Sequence, residues 1–219
     1  MDKTISIIDY GMGNLFNVIR AFKTLGCTGK IVKDSSEIMK SDRLILPGVG
    51  AFKDGINGLI KNNLDDIIKE YSQTGKPLLG ICLGMQLLMS SSDENGFNNG
   101  LDLIKGQCRR FSDPKSEDDK FKIPQIGWNQ LLFSKMKQNN KIDWNTSLLK
   151  GLDEDSYMYF LHSYFVIPKD KKVIVAETSY GNNHFCSVLQ KDNIFGCQFH
   201  PERSGERGLI ILKNFLDLN

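Results

Sequence analysis

Paired cysteines are missing from this chain. Its 219 residues include five cysteines, an odd number, and no two are spaced as a CxxC pair. That argues against a disulfide framework or a zinc site and fits a reducing compartment. Histidine is scarce: only His162, His184 and His200 are present. None has ligand spacing with a cysteine, so no metal or organic cofactor is indicated. No apolar run approaches the roughly 20 residues that span a bilayer. The opening MDKTISIIDYG has an apolar stretch too short for a secretion signal, broken at Asp9. Neither sign of charge dominates, with 28 basic against 26 acidic residues. Nucleic acid and an anionic membrane are therefore poor partners for it. No internal repeat is found. These absences leave a cytoplasmic protein whose length suits one α/β domain over residues 1–219.

What is present alternates in type. ISIID at 5–9 reads as a buried strand. Leu15, Val18, Ile19, Phe22 and Leu25 follow at helical spacing, with Gly26 as a stop. KIVK at 30–33 and RLIL at 43–46 read as strands, the latter running into the loop Pro47-Gly48-Val49-Gly50. Helix is expected onward to about Gln73, ended by Gly75 and Pro77. PLLGI at 77–81 is a fourth strand, with a helix from Gly84 to Ser90 behind it. From Leu103 the stretches LIKGQCRRF, YFLHSYFVI, KVIVAET, CSVL and IFGCQF are strand-like, and helix returns at 208–218. The charged segment 112–122 reads as an exposed loop. The expected fold is a three-layer α/β structure with a mostly parallel central sheet and an antiparallel extension.

Gly80-Ile81-Cys82-Leu83-Gly84 has the form G-x-nucleophile-x-G between an apolar strand and a helix. In such an elbow the nucleophile sits on a sharp turn above the carboxyl edge of the sheet. A helix N-terminus there favours the thiolate. The Leu83 N–H is free to face a developing oxyanion. Taken alone, the motif fits a buried core cysteine equally well. A thiolate nucleophile needs a proton acceptor. His200 ends the strand IFGCQF, and Glu202 stands two residues on, on the same side of an extended chain. Without Cys82 this pair reads as a surface His and Glu at a strand end. His162 reads as a sheet histidine or a site residue, and His184 as a solvated turn residue.

The chain resembles the class I, triad-type glutamine amidotransferases, and within them the glutaminase subunit of imidazole glycerol phosphate synthase. The matching pieces are IDYGMGNL at 8–15, LPGVGAF at 46–52, GICLGMQLL at 80–88, PQIGWNQL at 124–131, YFLHSYFV at 159–166 and FGCQFHPERSG at 195–205. The resemblance implies a triad in which Cys82 attacks glutamine to form a glutamyl thioester, His200 moves protons and Glu202 orients His200. It implies an oxyanion hole from the backbone of Val49 and Leu83. Gly50, in that flexible loop, would take part in binding the substrate. Gln86 and His162-Ser163-Tyr164 would hold the glutamine backbone, and Glu94 its α-ammonium. It also implies L-glutamine as substrate and a (β/α)8-barrel cyclase as partner. The chain is too short to carry a barrel of about 250 residues as well, so the partner is expected as a separate subunit of a heterodimer receiving ammonia through a shielded route. Asn14, Trp128, Asn129 and Arg203 are the candidate docking residues, with core packing as the other reading of Trp128.

The sequence departs from the family pattern at Gln125, where histidine is expected, and at Arg203, where lysine is usual. The segments 93–100 and 112–122 are longer than expected. Other readings therefore stand beside the first. The same chemistry could feed a sugar-amidinating synthase of surface-polysaccharide pathways. The chain could be an inactive regulatory scaffold, or a cysteine peptidase on the same fold.

Overall fold

The computed structural model describes residues 4–112, 121–133, 143–154 and 156–218. Residues 113–120, most of the segment read as an exposed loop, lie outside them. The first half holds β1 (Thr4–Ile8), α1 (Leu15–Thr24), β2 (Thr28–Val32), α2 (Ser35–Lys40), β3 (Leu44–Leu46), α3 (Phe52–Lys61), α4 (Asp65–Gln73), β4 (Leu78–Ile81) and α5 (Leu83–Leu87). Then come β5 (Met89–Ser92), β6 (Asn98–Asn99), β7 (Ile104–Arg110), β8 (Gln125–Gln130), β9 (Leu132–Phe133), β10 (Tyr157–His162) and β11 (Tyr164–Pro168). The chain ends with β12 (Ile174–Tyr180), β13 (Asn183–Lys191), β14 (Ile194–Cys197) and α6 (Gly205–Asp217).

The main sheet has eight strands in the order β2-β1-β3-β4-β14-β13-β12-β9. The first five are mutually parallel and the last three antiparallel. Its strands read as near-continuous apolar runs because both faces are covered. Ile5, Ile7, Ile45, Leu79 and Phe195 point into a core shared with α1 and α6. Ile8, Leu44, Leu46, Leu78 and Ile194 point into a second core under α2, α3, α4 and α5. Sheet and two helical layers give the expected three-layer α/β fold. β8 pairs with β10 in a separate ribbon, and β11-β7-β5-β6 form a small third sheet.

Several local expectations are corrected. The helix expected through Gln73 is two helices, broken where Asn63 takes a left-handed φ of 54°, a conformation asparagine tolerates better than most residues. α2 escaped notice; Asp34 caps it by accepting from the Glu37 N–H at 3.0 Å. The helix expected over 84–90 stops at Leu87, and 89–92 is strand. YFLHSYFVI is two strands in two different sheets, divided at Ser163. IFGCQF pairs parallel to β4, so it belongs to the parallel part rather than to the extension. His184 is not in a turn: it lies on β13, where Nε2 meets Glu177 Oε2 at 3.3 Å and Nδ1 meets Ser179 Oγ at 2.9 Å.

Candidate active site

Cys82 follows β4 and caps α5, with φ 54° and ψ −109°. A positive φ in a residue with a side chain is strained and persists only where its surroundings fix it. Here they do. The Cys82 N–H donates to the Cys197 carbonyl at 2.8 Å, and the Cys82 carbonyl accepts from the Gln86 N–H at 3.2 Å. Flanking glycines let backbone pass closely. A Cβ on Gly80 would stand 2.7 Å from the Met85 nitrogen, and one on Gly84 would run into the Leu46 carbonyl. Gly84→Ala is therefore expected to cost about 3 kcal/mol in chemical unfolding, as overpacking against backbone does. α5 has only five residues, so the helix-dipole help expected for the thiolate is confined to little more than one turn.

Cys82 is 5% exposed and lines a cavity of about 220 Å³. Around that cavity the structure gathers Val49, Gly50, Leu83 and Gln86 with Glu94 and the segment His162-Ser163-Tyr164. Pro124, after a cis peptide bond, and Leu161 complete the wall; the sequence reading named neither. The loop before α3 is held by Tyr10, which the reading also passed over. Its hydroxyl donates to the Pro47 carbonyl at 2.8 Å. Gly50 has φ 102°, where glycine is at ease. Leu83 is the first residue of α5, a position whose N–H has no partner within the helix.

His200 is 4% exposed, and its Nδ1 sits 2.8 Å from Glu202 Oε1. The reason differs from the one expected. Glu202 lies in a 3₁₀ turn over Pro201–Arg203, not in extended chain, and that turn folds its carboxylate back onto the ring. With Nδ1 occupied, Nε2 is the nitrogen left for the thiol. Burial opposes charge on the ring, but the sulfur of Cys82, by charge and hydrogen bonding, and then Glu202 outweigh it and raise the His200 pKa to about 10. Nε2 does not reach full hydrogen-bond geometry with the sulfur. His162 goes the other way. Burial, aided by the charge of His200, lowers its pKa to about 3 despite its Nδ1 contact with the Tyr164 carbonyl at 2.8 Å. It stays neutral, with Nδ1–H the donor.

Glu94 Oε2 accepts the Phe52 N–H at 2.7 Å, capping α3, whose N-cap Ala51 offers no side-chain acceptor. Burial raises the Glu94 pKa, the Phe52 N–H opposes this, and Asp54 and Asp93 add to it. A cation in the cavity would relieve both burial and like-charge repulsion. Asn14 and Arg203 lie away from this cavity, as do Trp128 and Asn129. Among the described residues no group of acidic, histidine and cysteine side chains could hold a metal ion, and no helix is long and apolar enough to cross a membrane.

The arrangement can form and resolve an acyl-thioester: thiol, buried imidazole, orienting carboxylate and a pocket that Glu94 also lines. Comparison with known proteins agrees in kind. The imidazole glycerol phosphate synthase subunit HisH of Caldanaerobacter subterraneus subsp. tengcongensis is 48% identical over 211 residues, 96% of each chain. That of Methanosarcina barkeri is 45% identical over 217 residues, 99% of each. The solved structure of PurLQS from Thermotoga maritima superposes with a TM-score of 0.71 at 18% identity, covering 99% of both chains, a likeness of fold. The sequence model of glutamine amidotransferase class-I matches residues 6–218, and the chain belongs to that family of enzymes.

Proposed function

We propose that this chain, acting as one domain, is the glutaminase subunit of an imidazole glycerol phosphate synthase. It hydrolyses L-glutamine to glutamate and ammonia, and a separate (β/α)8 cyclase uses the ammonia to make imidazole glycerol phosphate and AICAR in histidine biosynthesis. The observation that carries this reading is the buried His200 held by Glu202 beside the Cys82 sulfur, at a pocket that Glu94 also lines. The names of relatives 45–48% identical over nearly the whole chain support the pathway.

The Cys82 thiolate attacks the carboxamide carbon, and the oxyanion faces the backbone N–H groups of Val49 and Leu83. His200, protonated, gives its proton to the departing nitrogen as the C–N bond breaks, which leaves a glutamyl thioester and ammonia. His200, now neutral, takes a proton from water as the oxygen attacks the thioester. Glutamate leaves and the sulfur is restored. A small cavity of about 10 Å³, bounded by Asn14, Val18, Val49, Ile81, His200 and Glu202, has room for about one small molecule. It is the proposed first step of the ammonia's exit.

The proposed docking face surrounds that exit. Trp128 is 56% exposed and Ile126 61%, and Phe16 on α1 is 72% exposed. Arg203 stacks 4.2 Å above the Tyr159 ring, which Trp128 meets edge-on at 6.2 Å. The face is tied to the His200 backbone: its main-chain N–H donates to the Tyr159 carbonyl at 2.9 Å, and the Arg203 N–H donates to the His200 carbonyl at 3.0 Å. Asn14 and Asn129 have structural duties as well. Asn14 caps α1, accepting the Asn17 N–H at 3.2 Å, and Asn129 donates to the Ser179 carbonyl at 2.9 Å. Trp128→Ala is expected to weaken the complex by about 2 kcal/mol, the loss typical of a central aromatic anchor, with the free subunit unchanged in circular dichroism; titration calorimetry against the cyclase checks it. The function itself is tested by glutamine hydrolysis with and without the cyclase and its ribonucleotide substrate. Strong stimulation is expected, and a subunit indifferent to that cyclase would overturn the pathway.

A further inference from the structure

The sulfur has a neighbour to which the reaction above gives no task. Gln198 is wholly buried, and its Nε2 lies 3.8 Å from Cys82 Sγ. It sits just beyond β14, where Cys197 pairs with Ile81 across the parallel strands, and so comes level with Cys82. The two ends of its carboxamide can be told apart. Gln86 Nε2 lies 2.9 Å from the Tyr164 carbonyl, which can only accept, so that atom is a nitrogen. The same Nε2 also lies 3.2 Å from the other end of the Gln198 amide, which must therefore be oxygen. The nitrogen of Gln198 is left facing the sulfur. The Leu161 carbonyl, also 3.8 Å from the sulfur, accepts from a thiol but repels a thiolate.

We infer that Gln198 is a further catalytic residue, donating a side-chain N–H to the Cys82 sulfur and steadying it as an anion, with its amide locked in that sense by Gln86 and the Tyr164 carbonyl. This rests on the proposed nucleophilic role of Cys82 and deepens it. It also fixes the polarity of Gln86. With its nitrogen committed twice, that side chain has only its oxygen to offer the pocket, where it takes an N–H of the substrate.

The test is the rate at which iodoacetamide alkylates Cys82 on the acid limb of its rate-versus-pH profile, where the rate follows the ionised fraction, read by mass spectrometry of the peptide that contains it. Iodide leaves as the S–C bond forms, and the reagent makes no use of an amino-acid pocket. Gln198→Met, which keeps length and removes the donor, is expected to slow alkylation there about fivefold: without the hydrogen bond the thiolate is scarcer, though each thiolate is somewhat more nucleophilic. Gln86→Met, which unlocks the Gln198 amide, slows it too, and the double variant is no slower than Gln198→Met alone. Circular dichroism and the unfolding midpoint establish that each variant is folded; if Gln198→Met does not fold, the Gln86→Met rate decides. Alkylation at the wild-type rate in a folded variant, or fully additive effects, would overturn the inference. Failure of the glutaminase reading looks different: the unsubstituted subunit, with cyclase present, frees no ammonia from glutamine.

Discussion

Cys82→Ser releases ammonia from glutamine at least about ten-thousand-fold more slowly than the unsubstituted chain, the scale on which removing a nucleophile acts. A serine hydroxyl at this elbow is not ionised at neutral pH, and a ring tuned to sit beside a thiolate is not arranged to deprotonate it. The substitution is otherwise small. Cys82 lines the pocket, and the backbone bonds that hold φ at 54° belong to its N–H and carbonyl and survive. The complex with the cyclase and synthesis from added ammonium salts are therefore retained. Loss of the ammonia-driven reaction would show that residue 82 is structural. A second readout follows from the ring. The sulfur's charge is the foremost influence raising the His200 pKa to about 10, so in Cys82→Ser the imidazole titrates at a distinctly lower pH by NMR. An unchanged titration would mean that sulfur and ring are not a pair.

His200→Ala and Glu202→Gln are expected to differ in a set order. Losing the imidazole removes both the proton donor to the leaving nitrogen and the base for water, about ten-thousand-fold in kcat. Glu202→Gln keeps an oxygen able to accept the Nδ1–H now bonded at 2.8 Å and loses only the charge, so about a hundredfold is expected, the lower end of what general acid–base catalysis contributes. Rates in the reverse order would undo these roles. The ring also leaves a mark on stability. Its folded pKa lies above the usual 6.5, so in the folded state it binds a proton that the unfolded chain releases between that value and about 10. Its contribution is full below pH 6.5 and fades as pH rises through about 10. The unfolding free energies of the unsubstituted chain and His200→Ala should converge over that window.

Much of the molecule is local in origin, and so readable in order along the chain. Apolar runs at 5–8, 44–46 and 78–81 are strands because both faces of the sheet are covered, and no register has to be known to see it. The Gly80–Gly84 elbow and the His200–Glu202 pair each need only a few residues to define their geometry, so Cys82, His200 and Glu202, the proposed nucleophile, base and orienter, could be singled out in advance. Expectations failed where a choice depended on something distant. β10 and β11 look like one strand until Ser163 sends them into different sheets. α5 ends early because Met89–Ser92 pairs with β7. Glu94 looks like a binding carboxylate alone until α3 turns out to lack a cap of its own. Gln198 stood in plain view two residues before His200. The sense of its amide is set by partners 78, 112 and 116 residues apart in sequence: Gln86 and Tyr164, Gln86 and Gln198, Cys82 and Gln198. By itself the sequence determined the layers, the sulfur and the ring, because short-range sterics and hydrophobic pattern suffice for those. Only the tertiary structure decided which buried polar atom faces which, because a side-chain amide takes its direction from whatever donor or acceptor the fold brings beside it.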